Sequence, residues 1–481
     1  MNASERADLE RWIDLIQEAA HQSGLDFYPT HFEVAPDHVI YELGSYGLPA
    51  RFSHWTFGRD YHHQKTLYEY GLARIYEIVF NTDPCQAFLL DSNSMLAHKF
   101  VVAHVLGHND FFKNNTYFER TNRQMVEQVR VHGNRIRKYE ETIGTDTVEL
   151  FLDGALALAD NFDPGLTAEF RPPVEPDEGS GKAPSSLSGT EYDDLWNIRV
   201  EKRPAGDASP AAPEPTRDLL GFLRDRAPSL ARWQRDILDI VRDETLYFIP
   251  QMRTKILNEG WASFWHERIL TSLPLTPEEH LEFRRLHASV ISPGSRMTIN
   301  PYYVGYTILR DIERRWNGET SDEAPEENWR GEPIQRAAGG GMEKLFEVRS
   351  MECDVTFLRK YLTRALVERL DLYTYRRDDS GGEARWVVQD AGWEKVRDTL
   401  VDSMTNFGLP IITVEDDDYM HRGELLLRHA WDGKDLDVDY TSRTLAYLAR
   451  IWRKPVHLAT NQSGQNVVLC HDGDTAASHA P

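Results

Sequence analysis

Apolar positions recur every three to four residues over most of this chain, the spacing that lines them up on one face of an α-helix. Residues 7–19 show the pattern first, with Leu, Trp and Ile forming the apolar stripe of an amphipathic opening helix. The same spacing predicts helices in both halves of the chain, over residues 61–79, 95–109, 121–141, 146–160, 217–270, 277–289, 301–316 and 346–375.

Two regions interrupt the helical pattern. Residues 28–60 combine Pro, Gly, His and aromatic side chains, a composition that favours ordered loop over regular structure. Residues 164–216 hold nine prolines among Gly, Ser and Glu. Because proline removes a backbone donor and disrupts helices, this second region is predicted to be a surface excursion or a linker.

The last hundred residues change character. Short runs of residues that favour β-structure, at 385–388, 409–414 and 455–459, predict strands. Helices are predicted between them at 392–407 and 442–452. The fold class is therefore α+β, a large mainly helical body with a small C-terminal α/β unit. The predicted divisions are a first helical part at 1–163 with a loop-rich histidine and aromatic segment, the Pro-rich region 164–216, a second helical part at 217–376, the α/β unit at 377–462 and a flexible tail at 463–481.

Composition narrows the class of protein. The chain has 481 residues, 41% of them hydrophobic, which is enough for a large core. Its net charge of −23 argues against binding to a nucleic-acid backbone. Three scattered cysteines favour a reducing compartment, and neither a signal segment nor an apolar run of about 20 residues is evident. A cytoplasmic protein without a membrane span is expected.

Two segments carry the candidate chemistry. His104 and His108 are four residues apart in a predicted helix and so share a face, as do Glu259 and His266, seven apart in another. If the two helices pack face to face, two imidazoles and a carboxylate meet. That set suits a divalent transition metal such as zinc, with His266 either a fourth ligand or a residue that orients one.

The spacing resembles the metal-binding helix of zincin peptidases, but one part is missing. In those enzymes the residue after the first histidine is a glutamate that acts as general base, and here it is Val105. We assign acid/base function instead to histidines of the loop-rich opening, His31 and His54. The alternative interpretation is a buried polar network, in which the same histidines and Glu259 only satisfy one another inside the core.

Several longer motifs resemble those of the stage V sporulation protein R (SpoVR-like) family, over about residues 8 to 460. The matching segments are residues 24–33, 46–49, 51–58, 104–108, 110–115, 258–266, 298–302 and 421–425. The resemblance implies a cytoplasmic protein tied to spore cortex formation and to stress or stationary-phase physiology. It also implies two partners, an AAA-type serine protein kinase and a von Willebrand factor A-like protein.

Two functional hypotheses remain open at this point. The first is a metal-dependent enzyme, a hydrolase or amide-bond enzyme that acts on a small or cell-wall-related molecule. The second is a non-catalytic scaffold or regulatory partner in a kinase-linked stress complex. The family resemblance fits both, because it concerns a phenotype and not a reaction.

Overall fold

The computed structural model describes residues 1–69, 77–166, 215–294, 298–319, 339–378, 385–390 and 392–479. The helices, numbered in chain order, are α1 (Ala3–Gln22), α2 (Asp37–Tyr46), α3 (Trp55–Glu69), α4 (Met95–Asn114), α5 (Met125–Ile143), α6 (Thr145–Leu158), α7 (Leu219–Arg226), α8 (Arg232–Arg253), α9 (Lys255–Ser272), α10 (Pro277–Val290), α11 (Pro301–Trp316), α12 (Gly341–Met351), α13 (Asp354–Tyr361), α14 (Arg364–Leu370), α15 (Trp393–Thr405) and α16 (Val438–Trp452). The strands are β1 (Thr30–Ala35), β2 (Glu77–Phe80), β3 (Cys85–Leu90), β4 (Thr374–Asp378), β5 (Arg385–Asp390), β6 (Ile412–Tyr419), β7 (Glu424–His429), β8 (Val456–Gln462), β9 (Gln465–His471) and β10 (Ala476–His479).

These elements form a large helical body and a small C-terminal α/β unit, which confirms the predicted fold class. None of the helices in the described ranges is long and apolar enough to cross a membrane.

Helices α4 and α9 lie side by side in the middle of the body. Every residue of α4 from Leu96 to Phe112 is buried, as expected of a helix surrounded by other elements. A Cβ on Gly107 would lie 2.7 Å from the Cα of Ala262, so the two backbones come unusually close. Because α4 and α9 are the two helices predicted to carry metal ligands, this close approach brings the two sets of side chains together.

A three-stranded sheet has the strand order β1-β3-β2. Its strand β1 lies in the region predicted to be ordered loop, and β2 lies at the end of a predicted helix. Pro36 and Gly47 are the N-cap and the left-handed C-cap of α2, so these residues mark helix ends within the predicted loop. The helical prediction is wrong for residues 77–79. They pair with β3, Glu77 opposite Leu89, and this pairing outweighs local periodicity.

The C-terminal unit is built on a five-stranded sheet in the order β10-β9-β8-β7-β6. Strands β7 and β8 run parallel, and α16 connects them. The sequence predicts a flexible tail at 463–481, whereas β9 and β10 extend the sheet through residue 479. The difference arises at Ser463 and Gly464, whose positive φ angles of 51° and 80° fold the chain back onto β8 in a tight hairpin.

One hydrophobic core joins elements from both sides of the Pro-rich region. It contains Ile136 and Leu152 from before that region, Leu223 and Ile237 from after it, and Leu458 from the C-terminal sheet. The predicted excursion at 164–216 itself falls mostly outside the described residues. The two helical parts therefore share a core.

Candidate metal centre

His104 and His108 of α4 meet Glu259 of α9 in the interior of the helical body. All three side chains are buried, and one potential ligand atom from each lies within 4.8 Å of the others. Oε2 of Glu259 is 3.5 Å from Nε2 of His104 and 3.3 Å from Nε2 of His108. The structure thus brings together the three residues that the sequence nominated as principal ligands.

Two atoms at the centre of this cluster make no hydrogen bond with any described residue. They are Nε2 of His104 and Oε2 of Glu259, both fully buried. Their 3.5 Å contact is too long and too poorly aligned to count as a hydrogen bond. A buried polar atom without a partner costs about 1–3 kcal/mol, so two of them facing the same point need an explanation.

The electrostatics of the cluster favour a neutral ring at His104 and an ionised carboxyl at Glu259. Burial lowers the pKa of His104 to about 4, so its ring is neutral near pH 7. Burial opposes the ionised form of Glu259, but the charge of His108 and contacts with both histidines hold the pKa of that carboxyl well below its ordinary value. Burial also opposes charge on His108, yet the charge of Glu259 raises the pKa of His108 overall. The cluster is therefore an anionic carboxylate between the neutral imidazole of His104 and the more basic ring of His108.

Each histidine of the cluster is held through its other ring nitrogen. Nδ1 of His108 lies 2.9 Å from Oδ1 of Asn258, an oxygen that can only accept, so Nδ1 carries the proton. Nδ1 of His104 lies 2.9 Å from Nδ1 of His266. Nε2 of His266 in turn contacts His287 at 2.8 Å. Both nitrogens of His266 are engaged, and this arrangement fits the orienting role among the two that the sequence left open for it.

Three further polar residues surround the cluster. Lys255, one turn before Glu259, places its ammonium 2.6 Å from Oε1 of that carboxylate, and its side chain is 60% exposed. The ring of Tyr302 stacks on His104 at a centroid distance of 5.9 Å. Glu77 of β2 lies close enough for its charge to act on His108 and Glu259, and burial raises the pKa of its carboxyl to about 7. The cluster therefore borders on a cation, a phenol and a second carboxylate.

Family models match nearly the whole chain. The model described as SpoVR like protein matches residues 3–409, and the model described as SpoVR-like C-terminal domain matches residues 410–463. The chain belongs to the SpoVR-like family. The uncharacterized protein YcgB of Escherichia coli (strain K12) is 30% identical over 416 residues, which make up 82% of this SpoVR-like chain and 79% of YcgB. No solved structure matches this SpoVR-like chain.

The two histidines assigned to acid/base function, His54 and His31, have neighbours other than the residues of the cluster. His54, just before α3, has Nε2 3.1 Å from Oδ1 of Asp153 and Nδ1 2.8 Å from the hydroxyl of Thr56. Burial lowers the pKa of His54. His31 is exposed on β1. Their proton-transfer role stays a prediction.

Sequence reasoning missed most of the residues around the cluster. Lys255 had a usable signal, since it stands four residues before Glu259 and shares its helix face. Tyr302 had a weaker one, as the last residue of a family-like motif. Glu77 had none, because its segment was predicted to be helical and its position depends on strand pairing with β3.

Proposed function

We propose that this SpoVR-like protein is a metal-dependent hydrolase in which His104, His108 and Glu259 hold a divalent transition metal such as zinc. The observation that carries the proposal is the convergence of three buried ligand atoms, two of which make no hydrogen bond within the described structure. Two imidazoles and one carboxylate are a known ligand set of catalytic zinc, which keeps a further position for water or substrate.

A metal held there would polarise a substrate carbonyl and lower the pKa of a bound water. The reaction also needs a group that accepts the proton of that water, and Val105 cannot do so. Besides His31 and His54, a candidate for this role is Glu77, the second carboxylate beside His108 and Glu259. The hydroxyl of Tyr302, held in its protonated form by burial and by the charge of Glu259, is a donor for the oxyanion that develops on the substrate.

The surroundings favour an amide substrate that carries an anionic group. Once a metal takes up the charge of Glu259, the exposed ammonium of Lys255 becomes available to a substrate carboxylate. Peptides derived from the cell wall contain both amide bonds and free carboxylates. We therefore propose a cell-wall-related peptide as the substrate class, in line with the spore cortex role that the family resemblance implies.

The scaffold hypothesis has one observation in its favour. Oε1 of Glu259 already has an ionic partner in Lys255, as in an ordinary polar network of a protein core. In that case the protein would act through partners, an AAA-type serine protein kinase and a von Willebrand factor A-like protein, in the cytoplasm. The cluster would then only stabilise the packing of α4 against α9.

Elemental analysis of protein purified without a histidine tag tests the proposal. We expect about one zinc, iron or manganese per chain, and its loss in Glu259→Gln, because the amide lacks the negative charge that the metal requires. Glu352→Gln is the matched control, since Glu352 is also buried and contacts a half-exposed lysine, Lys360, at 2.7 Å. Both variants remove a buried carboxylate charge beside a lysine, and only Glu259→Gln should lose metal.

The same preparations test the reaction. With cell-wall peptides as substrates, the variant that removes the proton acceptor should retain metal but release no product, and we compare Glu77→Gln with His31→Gln and His54→Gln. If a histidine variant is inactive and Glu77→Gln is active, the proton-accepting role belongs to that histidine. Wild-type protein without metal, combined with a sharply lower thermal midpoint for Glu259→Gln, would instead support the scaffold.

A further inference from the structure

A cavity of about 110 Å³ lies between the helical body and the C-terminal α/β unit. Residues of α6 and α7 line it together with residues of α16 and of strands β6, β7 and β8. The least exposed of the lining side chains are all leucines, namely Leu158, Leu219, Leu427, Leu445, Leu448 and Leu458. We call this space the leucine cavity.

The size of the leucine cavity suits one aliphatic side chain. An apolar cavity of about 150 Å³ takes up a molecule as large as benzene, so a somewhat smaller one suits a group of about four or five carbons. Pockets for cofactors and drug-sized ligands measure about 300–1,000 Å³. The leucine cavity is too small for such a ligand, whereas the side chain of a leucine or isoleucine fits it.

The mouth of the leucine cavity is acidic. Asp160 and Tyr440 are exposed members of its lining, and Asp160 forms no ion pair with a described residue. Leu436 also lines the cavity, and the exposed carboxylates of Asp435 and Asp437 flank it in the chain. An apolar interior is thus bordered by negative charge on two sides, from the end of α6 and from the start of α16.

The charge at the mouth stays negative when nearby cations are counted. Residues 432–443, which contain Leu436 and the first part of α16, hold four aspartates against one lysine and one arginine. A polypeptide segment with Lys or Arg on both sides of its aliphatic residue would be attracted to this mouth, and a segment with Asp or Glu there would be repelled.

We propose that the leucine cavity is a docking site for a basic segment of a partner protein, which inserts one leucine or isoleucine side chain. The ring of Tyr440, 63% exposed at the mouth, offers the aromatic surface that is common in such contacts. Because the helical body and the α/β unit both line the cavity, a docked segment would hold the two together. The inference is independent of the proposed metal centre, none of whose residues lines the cavity.

Fluorescence anisotropy with a labelled synthetic peptide tests the docking site. The probe has one leucine between two pairs of lysines, and two reference peptides replace the leucine by alanine or the lysines by glutamates. We expect the alanine peptide to bind at least about tenfold more weakly, because it leaves the cavity empty. The glutamate peptide should not bind, because the aspartates repel it. A probe that does not bind, or that binds no better than either reference peptide, would overturn the proposal.

The variant Thr444→Phe tests whether the probe enters the leucine cavity. Thr444 lines the cavity, and a phenylalanine ring there would fill it. Thr142→Phe on α5 is the matched control, because Thr142 is exposed and both threonine hydroxyls donate to the backbone oxygen four residues earlier. Only Thr444→Phe should lose the probe. Equal binding by the two variants would mean that the probe binds outside the cavity, against the proposal.

The variant Asp160→Asn tests the role of charge with a substitution at the surface, which leaves the packing of the leucines as it is. We expect weaker binding of the probe and a smaller loss of affinity when salt is added, because one attractive charge is gone. Asp14→Asn is the control, since Asp14 is exposed on α1. If both variants bind the probe as tightly as the wild type, the occupant is not chosen by charge and the proposal fails.

The Pro-rich region of the chain itself is the other occupant to test. The described chain ends at Leu166 and resumes at Pro215, and Asn161 and Leu219, close to these ends in the sequence, line the cavity. A variant with a Gly/Ser linker in place of residues 167–214 should bind the probe as the wild type does. If the probe binds this variant and not the wild type, the region occupies the cavity, which overturns the proposal of a separate partner.

Discussion

At the scale of single residues, two histidines of α4 show how neighbours decide what a side chain can do. His98 and His104 are both buried, and burial lowers the pKa of each to about 4. His104 has His266 on one nitrogen and faces Glu259 with the other, whereas neither nitrogen of His98 has a hydrogen-bond partner in the described structure. The same residue type on one helix is therefore a ligand candidate in one case and a neutral core residue in the other.

His98 should make the stability of the protein depend on pH. Its pKa is about 4 in the folded protein and 6.5 in the unfolded chain, so between these values the unfolded chain binds more protons. The free energy of unfolding should therefore decrease as the pH falls from 6.5 to 4, by on the order of 3 kcal/mol from this residue. Urea unfolding of the wild type and His98→Gln at pH 7.5, 6 and 5 measures this, and the variant should lack that part of the slope.

The slopes are compared rather than the absolute stabilities, because glutamine at position 98 also changes packing. His421→Gln is the control, since the side chain of His421 is almost fully exposed. Parallel pH profiles for the wild type and His98→Gln would show that His98 does not titrate as described.

At the scale of elements, the close approach of α4 and α9 determines whether the ligand atoms meet. Ligand distances in a zinc site vary by only a few tenths of an ångström, so the helix spacing has little freedom. On the other face of α9, a Cβ on Gly260 would lie 2.4 Å from the carbonyl carbon of Gly305 in α11. Glycines on two sides thus let α9 pack between α4 and α11 without a side chain in the way.

Gly107→Ala should push α4 and α9 apart. The added Cβ would lie 2.7 Å from the backbone of Ala262, and a backbone atom cannot move aside as a flexible side chain can. We expect a loss of about 1–3 kcal/mol in the free energy of unfolding, together with weaker metal binding. Denaturant unfolding and chelator competition measure the two effects.

Gly58→Ala is the matched control for that substitution. Gly58 lies within α3, and a Cβ there would meet no atom within 4 Å. Because alanine favours helix over glycine, this variant should gain up to about 1 kcal/mol. Equal effects at positions 58 and 107 would mean that the helix spacing is not set by Gly107.

At the scale of the whole molecule, residues from both sides of the Pro-rich region pack together in each of the two large hydrophobic clusters of the described structure. The candidate ligand residues come from both sides, His104 and His108 from before the region and Glu259 from after it. A long connection does not prevent this, because the entropy of loop closure grows only with the logarithm of its length.

Cleavage within the Pro-rich region should therefore leave the two parts associated. A recognition sequence for a site-specific protease, inserted after Gly181, allows one cut in a segment of Gly, Ser and Pro. We expect the cut protein to elute from a sizing column as one species, with nearly the same thermal midpoint as the intact protein. Two folded fragments that elute separately would contradict the shared core.

Local sequence patterns determined the fold class and the ligand pairs. Helical periodicity is a property of neighbouring residues, so the spacing of His104 and His108 predicted a shared helix face directly. The position of Glu259 in a second helix followed in the same way. The sequence alone also shows the zincin-like spacing, and it shows a valine at position 105 where zincin peptidases have a glutamate.

Only the tertiary structure decided which groups lie around the cluster. Glu77 lies near it because β2 pairs with β3, and His287 contacts His266 because α10 packs near α9. Such contacts join residues far apart in the chain, and they depend on which surfaces are buried together rather than on any local pattern. The same reason explains the strand at 77–80, whereas the hairpin into β9 depends on the local turn at Ser463 and Gly464.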